Sequence, residues 1–372
     1  MRCSAQPRSR CALTECRVDR VAVDSRVGAV SDSPLLADHT TLRVGGPASR
    51  LVIAGTEREL VDTVADCDGR GEPVLIVGGG SNLLVSDDGF PGTVVLVATG
   101  GLRADESACG GAVATVAAGE NWDAFVAYAV GREWSGIEAL SGIPGSVGAT
   151  PIQNVGAYGA EVASLISSVR TWDRVERTQR TFAAADCGFG YRTSRFKREP
   201  GRYIVLEVSF QFPLGSLGAP IAYAELARRL GVEPGERAPA AEVRSAVLAI
   251  RGSKGMVLDD ADHDTWSAGS FFTNPILSQE AAAALPAEAP RFPMADGRVK
   301  SSAAWLIQHA GFARGHGGGR ARLSAKHVLA LTNRGGASAA DVAALAREVR
   351  DGVRAAYGVE LVPEVNLVGV AL

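Results

Sequence analysis

The chain reads as an α+β protein of two or three domains, and three observations predict this. Its 372 residues exceed what one ordinary core holds. Residues 51–77 run strand, helix, strand, and strand-like alternation continues to residue 212. From about residue 213 the composition turns to alanine-rich helix, which marks a boundary.

The elements follow in order. Residues 51–54 form a strand, residues 57–70 a helix with Leu60, Val61 and Val64 on one face, and residues 73–77 a buried strand, together a small βαβ unit. Apolar runs at 93–98 and 112–118 add strands, and Asn121 caps a helix that starts at Trp122. Residues 169–172, 178–182 and 203–212 alternate as strands, the last placing Ile204, Leu206, Val208 and Phe210 on one face. Helices are expected over 223–230, 240–250, 302–310 and 339–357, the last opened by Ser338 with Asp341 three residues on, a capping-box pattern. A strand over 361–370 closes the chain, and the glycines of 315–319 make a flexible loop at His316.

At 46% hydrophobic and 21% charged residues, with a net charge of −3, the composition is that of an ordinary soluble protein. No apolar run has membrane-spanning length, and no basic patch suggests nucleic acid. A cytoplasmic location is the expectation. The six cysteines show no CxxC pair and no histidines at metal spacing, so neither a metal site nor a disulfide frame is supported. Residues 1–31 carry Arg2, Arg8, Arg10, Arg17 and Arg20 but no apolar h-region, which argues against a secretory signal. They read as a flexible extension.

The turn Gly78-Gly79-Gly80-Ser81-Asn82 leaves one strand and enters another apolar run at Leu83. The dinucleotide fingerprint needs a sixth-place glycine and a following helix, and both are missing, so this is not a Rossmann turn. Three glycines before Ser-Asn can instead offer successive N–H groups as an anion nest for a pyrophosphate. A tight strand-to-strand turn is the plain alternative. A second glycine-rich block, residues 142–159, has little periodicity yet keeps apolar residues among its small ones. Such a segment is costly to order unless it wraps a ligand.

Three further residues are chemical candidates. Arg192 lies in the turn-rich stretch 187–197, where a planar, permanently charged fork suits a carboxylate or a developing enolate. Ser270 sits between Gly269 and the aromatic pair Phe271-Phe272, which would exclude water. Glu364, in Pro363-Glu364-Val365, falls inside the apolar terminal strand, where burial would raise its pKa and make a proton donor available. Taken singly, each has an ordinary explanation: a solvated arginine, a turn serine, a strand-edge glutamate.

Leu42-Arg43-Val44-Gly45-Gly46, the GGGSN turn with Leu83-Leu84, the 142–159 block, the Tyr191–Lys197 stretch, Gly269–Pro275 and Pro363-Glu364-Val365 stand in a fixed order and rough spacing. In this they resemble the UDP-N-acetylenolpyruvoylglucosamine reductase family, type I, from about residue 35 onward. The resemblance implies a two-lobed FAD-binding domain of the vanillyl-alcohol-oxidase (PCMH) type over 32–212, with lobes at about 32–100 and 101–212, and an α+β substrate-binding domain over 213–372. It also implies non-covalent FAD, NADPH as reductant, and a UDP-sugar enolpyruvyl ether reduced to a lactyl ether for peptidoglycan.

By the same likeness, Gly78, Gly79, Gly80, Ser81 and Asn82 would hold the flavin pyrophosphate, with Ile143, Thr150, Gln153, Asn154 and Gly156 lining the rest of the FAD site. Ser270 matches the proton donor, and Arg192 and Glu364 the pair that holds the enolate-like intermediate. Tyr158, Tyr223, Lys254 and Asn274 match substrate contacts, Tyr223 lying in the segment that folds over the UDP moiety. The absence of a separate Rossmann domain implies that NADPH and the UDP-sugar use one cleft in turn, with ping-pong kinetics. A monomer is expected.

Two other readings remain at this level. A flavin oxidase or dehydrogenase of the same fold would need an oxygen-accessible flavin or a covalent attachment residue, and no histidine or cysteine stands in the flavin-lining blocks. A silent flavin-binding protein could lose Arg192, Ser270 and Glu364, yet all three positions are filled.

Overall fold

Two sheets of unlike construction carry the N-terminal half of this computed structural model, which describes residues 34–107 and 109–372 together with a short strand at Asp19–Val21. The first sheet is parallel. Strands Ala48–Ala54 and Val74–Val77 flank Phe90–Val97, and the helix Glu57–Arg70 crosses between the outer two. That helix starts at Thr56 and Glu59, which cap each other's backbone reciprocally, and ends at Gly71 in the left-handed region. Leu60, Val64 and Cys67 form its buried face.

The second sheet is antiparallel, ordered Asp19–Val21, Leu102–Ser107, Gly111–Ala117, Tyr203–Phe212, Ile166–Asp173, Thr178–Ala183. Asp19–Val21 falls inside the stretch expected to be a flexible extension, and it pairs with the sheet edge; the rest of residues 1–31 lies outside the described residues. The helix Trp122–Gly131, capped by Asn121, covers one face through Trp122 and Phe125 packed on Phe210 and Phe212.

Single-face alternation along Tyr203–Phe212 does not hold. Arg170 pairs with Glu207 and Thr171 with Val205, so Leu206 is a bulge residue. Ile204 and Leu206 therefore face the parallel sheet, while Val208, Phe210 and Phe212 face the aromatic core beneath Trp122. The extra residue of a bulge turns the strand and swaps its faces. One strand thereby glues the two lobes.

Beyond residue 213, the helices Ala224–Leu230 and Ala240–Ser253 share a small core of Leu226, Val243, Val247 and Ile250. A larger core gathers around the long helix Ala339–Tyr357, whose Ser338–Asp341 capping box is present as expected. It also takes in Leu42, Val44 and Leu84 from the N-terminal part. The expected closing strand is much shorter than 361–370: only Asn366–Val368 is strand, parallel to Leu83–Val85. Glu364 therefore precedes the strand instead of lying within it, because Pro363 has no N–H to continue a ladder. The loop at His316 is held, with Nε2 2.9 Å from Glu348 Oε1 and the ring against Phe312.

Candidate active site

The glycines of the 78–80 turn are there first for packing. A Cβ on Gly78 would meet Ser146 Oγ at 2.4 Å, one on Gly79 the Gly145 Cα at 2.6 Å, and one on Gly80 the His39 carbonyl oxygen at 1.8 Å. Gly80 also has φ +61, open to glycine and costly for other residues. The two glycine-rich blocks are thus pressed together, and Ser81 Oγ donates to the Pro144 carbonyl at 3.0 Å. The backbone N–H groups of Gly79, Gly80, Ser81 and Asn82 donate to no acceptor among the described residues. Successive unpaired N–H groups of this kind form an anion nest, so the pyrophosphate of FAD fits the donors present.

These blocks wall one end of an open cleft of about 1160 Å3. Ser81, Asn82, Ile143, Thr150, Gln153 and Gly156 line it, as do Tyr158, Tyr223, Lys254 and Asn274. Ser270, Arg192 and Glu364 line it too, so residues far apart in sequence meet there. Gly78, Gly79, Gly80 and Asn154 do not reach the wall.

Asn154 instead braces the cleft from behind. It is buried, donates through Nδ2 to Glu161 Oε2 (2.8 Å) and to the Gly190 carbonyl (3.1 Å), and accepts from the Ala163 N–H (3.1 Å). The Gly190 it holds begins the tight turn that carries Tyr191 and Arg192, closed by reciprocal backbone bonds between Gly190 and Thr193. Asn154, Tyr158 and Arg192 all have positive φ, at 47°, 51° and 51°. Backbone strain in non-glycine residues concentrates where function over-determines geometry.

Arg192 Nη2 donates to the Gly156 carbonyl at 2.8 Å, and Nε lies 2.9 Å from Glu364 Oε1, an ion pair set off the N–H direction. Glu364 is fixed through its own backbone: its N–H donates to the Phe271 carbonyl at 2.8 Å. The Phe271 N–H in turn donates to the Leu329 carbonyl at 2.8 Å, and the Phe271 and Phe272 rings are buried in the C-terminal core. Ser270 thus rides on an anchored segment directly beside Glu364. Burial pushes the Glu364 carboxyl up, opposed by the charges of Arg192 and Lys197. Lys197, a cleft residue given no role from the sequence, is pushed down by the same desolvation.

At the other end Tyr223 is the N-cap residue of Ala224–Leu230 and is 44% exposed, its ring edge-on to Tyr158 at 5.4 Å. Lys254 Nζ pairs with Glu225 at 2.6 Å. Arg251 and His327 join this wall, and neither stands out in the sequence. His327 is pushed down to about 4 by burial and then by Lys254, Arg314 and Arg251. A lone histidine in a Ser-Ala-Lys-His run carries no local signal, and only the fold brings it to the cleft. Asn274 Oδ1 accepts from the Ala303 N–H at 3.0 Å, which turns its amide NH2 group away from that helix.

Comparison with known proteins adds the chemistry of relatives. Residues 260–368 match the family model described as UDP-N-acetylenolpyruvoylglucosamine reductase, C-terminal domain, and residues 48–181 match an FAD binding domain. The chain is 64% identical over 337 residues to the UDP-N-acetylenolpyruvoylglucosamine reductase of Cutibacterium acnes, covering 90% of this chain and 89% of that protein. It is 52% identical to the enzyme of that name from Streptomyces avermitilis, covering 93% and 96%. The crystal structure of the UDP-N-acetylenolpyruvylglucosamine reductase of Thermus caldophilus superposes with a TM-score of 0.61 at 26% identity, covering 95% of this chain and all of that one.

Proposed function

This chain belongs to the UDP-N-acetylenolpyruvoylglucosamine reductase family, and from that membership we propose that it reduces UDP-N-acetylglucosamine enolpyruvate to UDP-N-acetylmuramate with NADPH. One observation carries the reading: Ser270, Arg192 and Glu364 converge in a single cleft with the two glycine-rich blocks. When bound, FAD supplies the redox chemistry, accepting reducing equivalents from NADPH and passing them to the enolpyruvyl group. The residues that would hold it are Ser81, Asn82, Ile143, Thr150, Gln153 and Gly156, with the backbone N–H groups of Ser81 and Asn82, where the turn meets the cleft, at its pyrophosphate. Gly78, Gly79, Gly80 and Asn154 serve that site by shaping it.

The protein's own task is to bind the enol ether and manage charge and proton. Electron density arriving at the terminal carbon of the enolpyruvyl group leaves negative charge beside its carboxylate. Arg192, permanently charged and partly desolvated, stabilises that charge in a site where water screens poorly. Glu364, its carboxyl raised by burial, offers a hydrogen bond to the enolate oxygen in its acid form. Ser270 delivers the proton to the carbon next to the carboxylate. An aliphatic hydroxyl is far too weak an acid for most acceptors, but an enolate is basic enough.

At the far end, Tyr158, Tyr223 and Lys254 hold the UDP-sugar, Tyr223 closing over the nucleotide and Lys254 meeting phosphate, while Asn274 adds a substrate contact beside Tyr191. Residues 32–212 act as the cofactor domain and 213–372 as the substrate domain. NADPH and the UDP-sugar take turns in the cleft. We take the protein to act as a monomer, and no helix among the described residues is long and apolar enough to cross a membrane. We place the reaction in the cytoplasm.

Incubating the purified protein with NADPH and UDP-N-acetylglucosamine enolpyruvate tests the reading. Mass spectrometry should show a product two hydrogens heavier. Unchanged substrate alongside consumed NADPH would move the protein to another flavin reductase or oxidase.

A further inference from the structure

The amide of Gln153 stands between the cofactor-side turn and the catalytic carboxylate. Asn82 Nδ2 donates to Gln153 Oε1 at 3.0 Å and to the Glu364 backbone carbonyl at 3.3 Å. Two acceptors at one nitrogen fix which end of the Asn82 amide is NH2, and so fix Gln153 as well. With its oxygen occupied, Gln153 must present Nε2 to Glu364, and it does so toward Oε1, at 3.5 Å. Arg192 Nε addresses that same oxygen at 2.9 Å. Glu364 Oε2 accepts no hydrogen bond among the described residues.

Building on the functional reading above, we propose that Gln153 is a positioning residue that acts with Arg192 to reserve Oε1 of Glu364 as the acceptor oxygen. Oε2 is then the oxygen that carries the proton in the acid form and donates to the substrate enolate. A cationic neighbour and an N–H donor on one oxygen make it the poorer site for a proton, so protonation is directed to the other. The contact at 3.5 Å is long for a hydrogen bond, as catalytic contacts often are before substrate arrives. The charged and titratable groups around Glu364 are Arg192, Lys197 and Tyr191. None of these can replace Gln153 as the neutral donor whose direction is set by Asn82.

The test uses the holoenzyme with Gln153→Met and Gln153→Glu, reading rates per bound flavin. In Gln153→Met, reoxidation of the NADPH-reduced enzyme by UDP-N-acetylglucosamine enolpyruvate should slow roughly tenfold, a larger change than any in reduction by NADPH. In Gln153→Glu the protonated acid restores a donor, so reoxidation should recover as pH falls, a dependence that Gln153→Met lacks. Infrared difference titration of the oxidised enzyme follows the Glu364 carboxyl band, assigned by its loss in Glu364→Gln. Its midpoint should rise in Gln153→Met, because a donor to the ionised form has gone. A midpoint that stays in place, or equal slowing of both half-reactions, overturns the proposal. If the parent itself is not reoxidised by the enolpyruvate, the functional reading falls and the infrared midpoint alone decides the role of Gln153.

Discussion

Arg192 Nε lies 2.9 Å from Glu364 Oε1, joining the turn at residues 190–193 to a segment anchored in the C-terminal core. The pair makes a direct prediction. Arg192→Lys removes the planar fork that bonds the Gly156 carbonyl while it faces Glu364, and Glu364→Gln removes the proton that the acid form donates. Each should slow reoxidation by the enolpyruvate substrate on the order of 100-fold or more. Reduction by NADPH should change only a few-fold. Stopped-flow absorbance of each half-reaction separates the two.

Ser270→Ala should act more selectively still. Its side chain has no hydrogen-bonding partner among the described residues, so its loss leaves no buried orphan and little effect on folding. Loss of a positioned proton donor costs on the order of 100- to 10,000-fold. That loss should fall on the second half-reaction, and equal slowing of both halves would remove Ser270 from the role.

His327 gives the fold a pH signature. Its folded value, about 4, lies below the ordinary 6.5, so its contribution to stability is complete above about 6.5. As pH falls from 6.5 toward 4 the unfolded chain takes up a proton that the folded chain refuses, and stability is lost. Between pH 7.5 and 5 this single group should cost about 2 kcal/mol. Denaturant unfolding at both values should show that the drop shrinks by about this much in His327→Gln. An unchanged drop would refute the burial argument.

Gly80→Ala should be severe although no side chain is lost. The new Cβ would fall 1.8 Å from the His39 carbonyl oxygen at φ +61, forcing the 78–82 turn away from the backbone of His39 and Thr40. A loss of at least about 2 kcal/mol is expected, with weakened flavin retention. Thermal melting and the flavin-to-protein absorbance ratio check both. Gly69→Ala, where a Cβ meets nothing within 4 Å, is the control.

Much of the fold is legible in the amino-acid sequence. The helices Glu57–Arg70 and Ala339–Tyr357 announce themselves by caps, because capping is a local contract between a few neighbouring residues. The Leu206 bulge is not legible there: the pattern on Tyr203–Phe212 fits one face, and only the partner strand reveals the extra residue. Apolar neighbours make Glu364 read as a strand residue. Those neighbours are buried for the core and not for a ladder, and the strand begins at Asn366. In the site, the motifs point to residues that the fold brings to one cleft but not to the reason for the 78–80 glycines, whose nearest neighbours are Ser146, Gly145 and His39. Gln153's grip on Glu364 and the place of His327 depend on contacts between distant segments, which no local spacing encodes.

The most direct measurement is a single turnover without oxygen. The enzyme is reduced with one equivalent of NADPH and mixed with UDP-N-acetylglucosamine enolpyruvate while flavin absorbance is followed. Rapid return of the oxidised spectrum, with one equivalent of UDP-N-acetylmuramate formed, is the predicted result. A flavin that NADPH reduces but that stays reduced in the presence of this substrate would contradict the account.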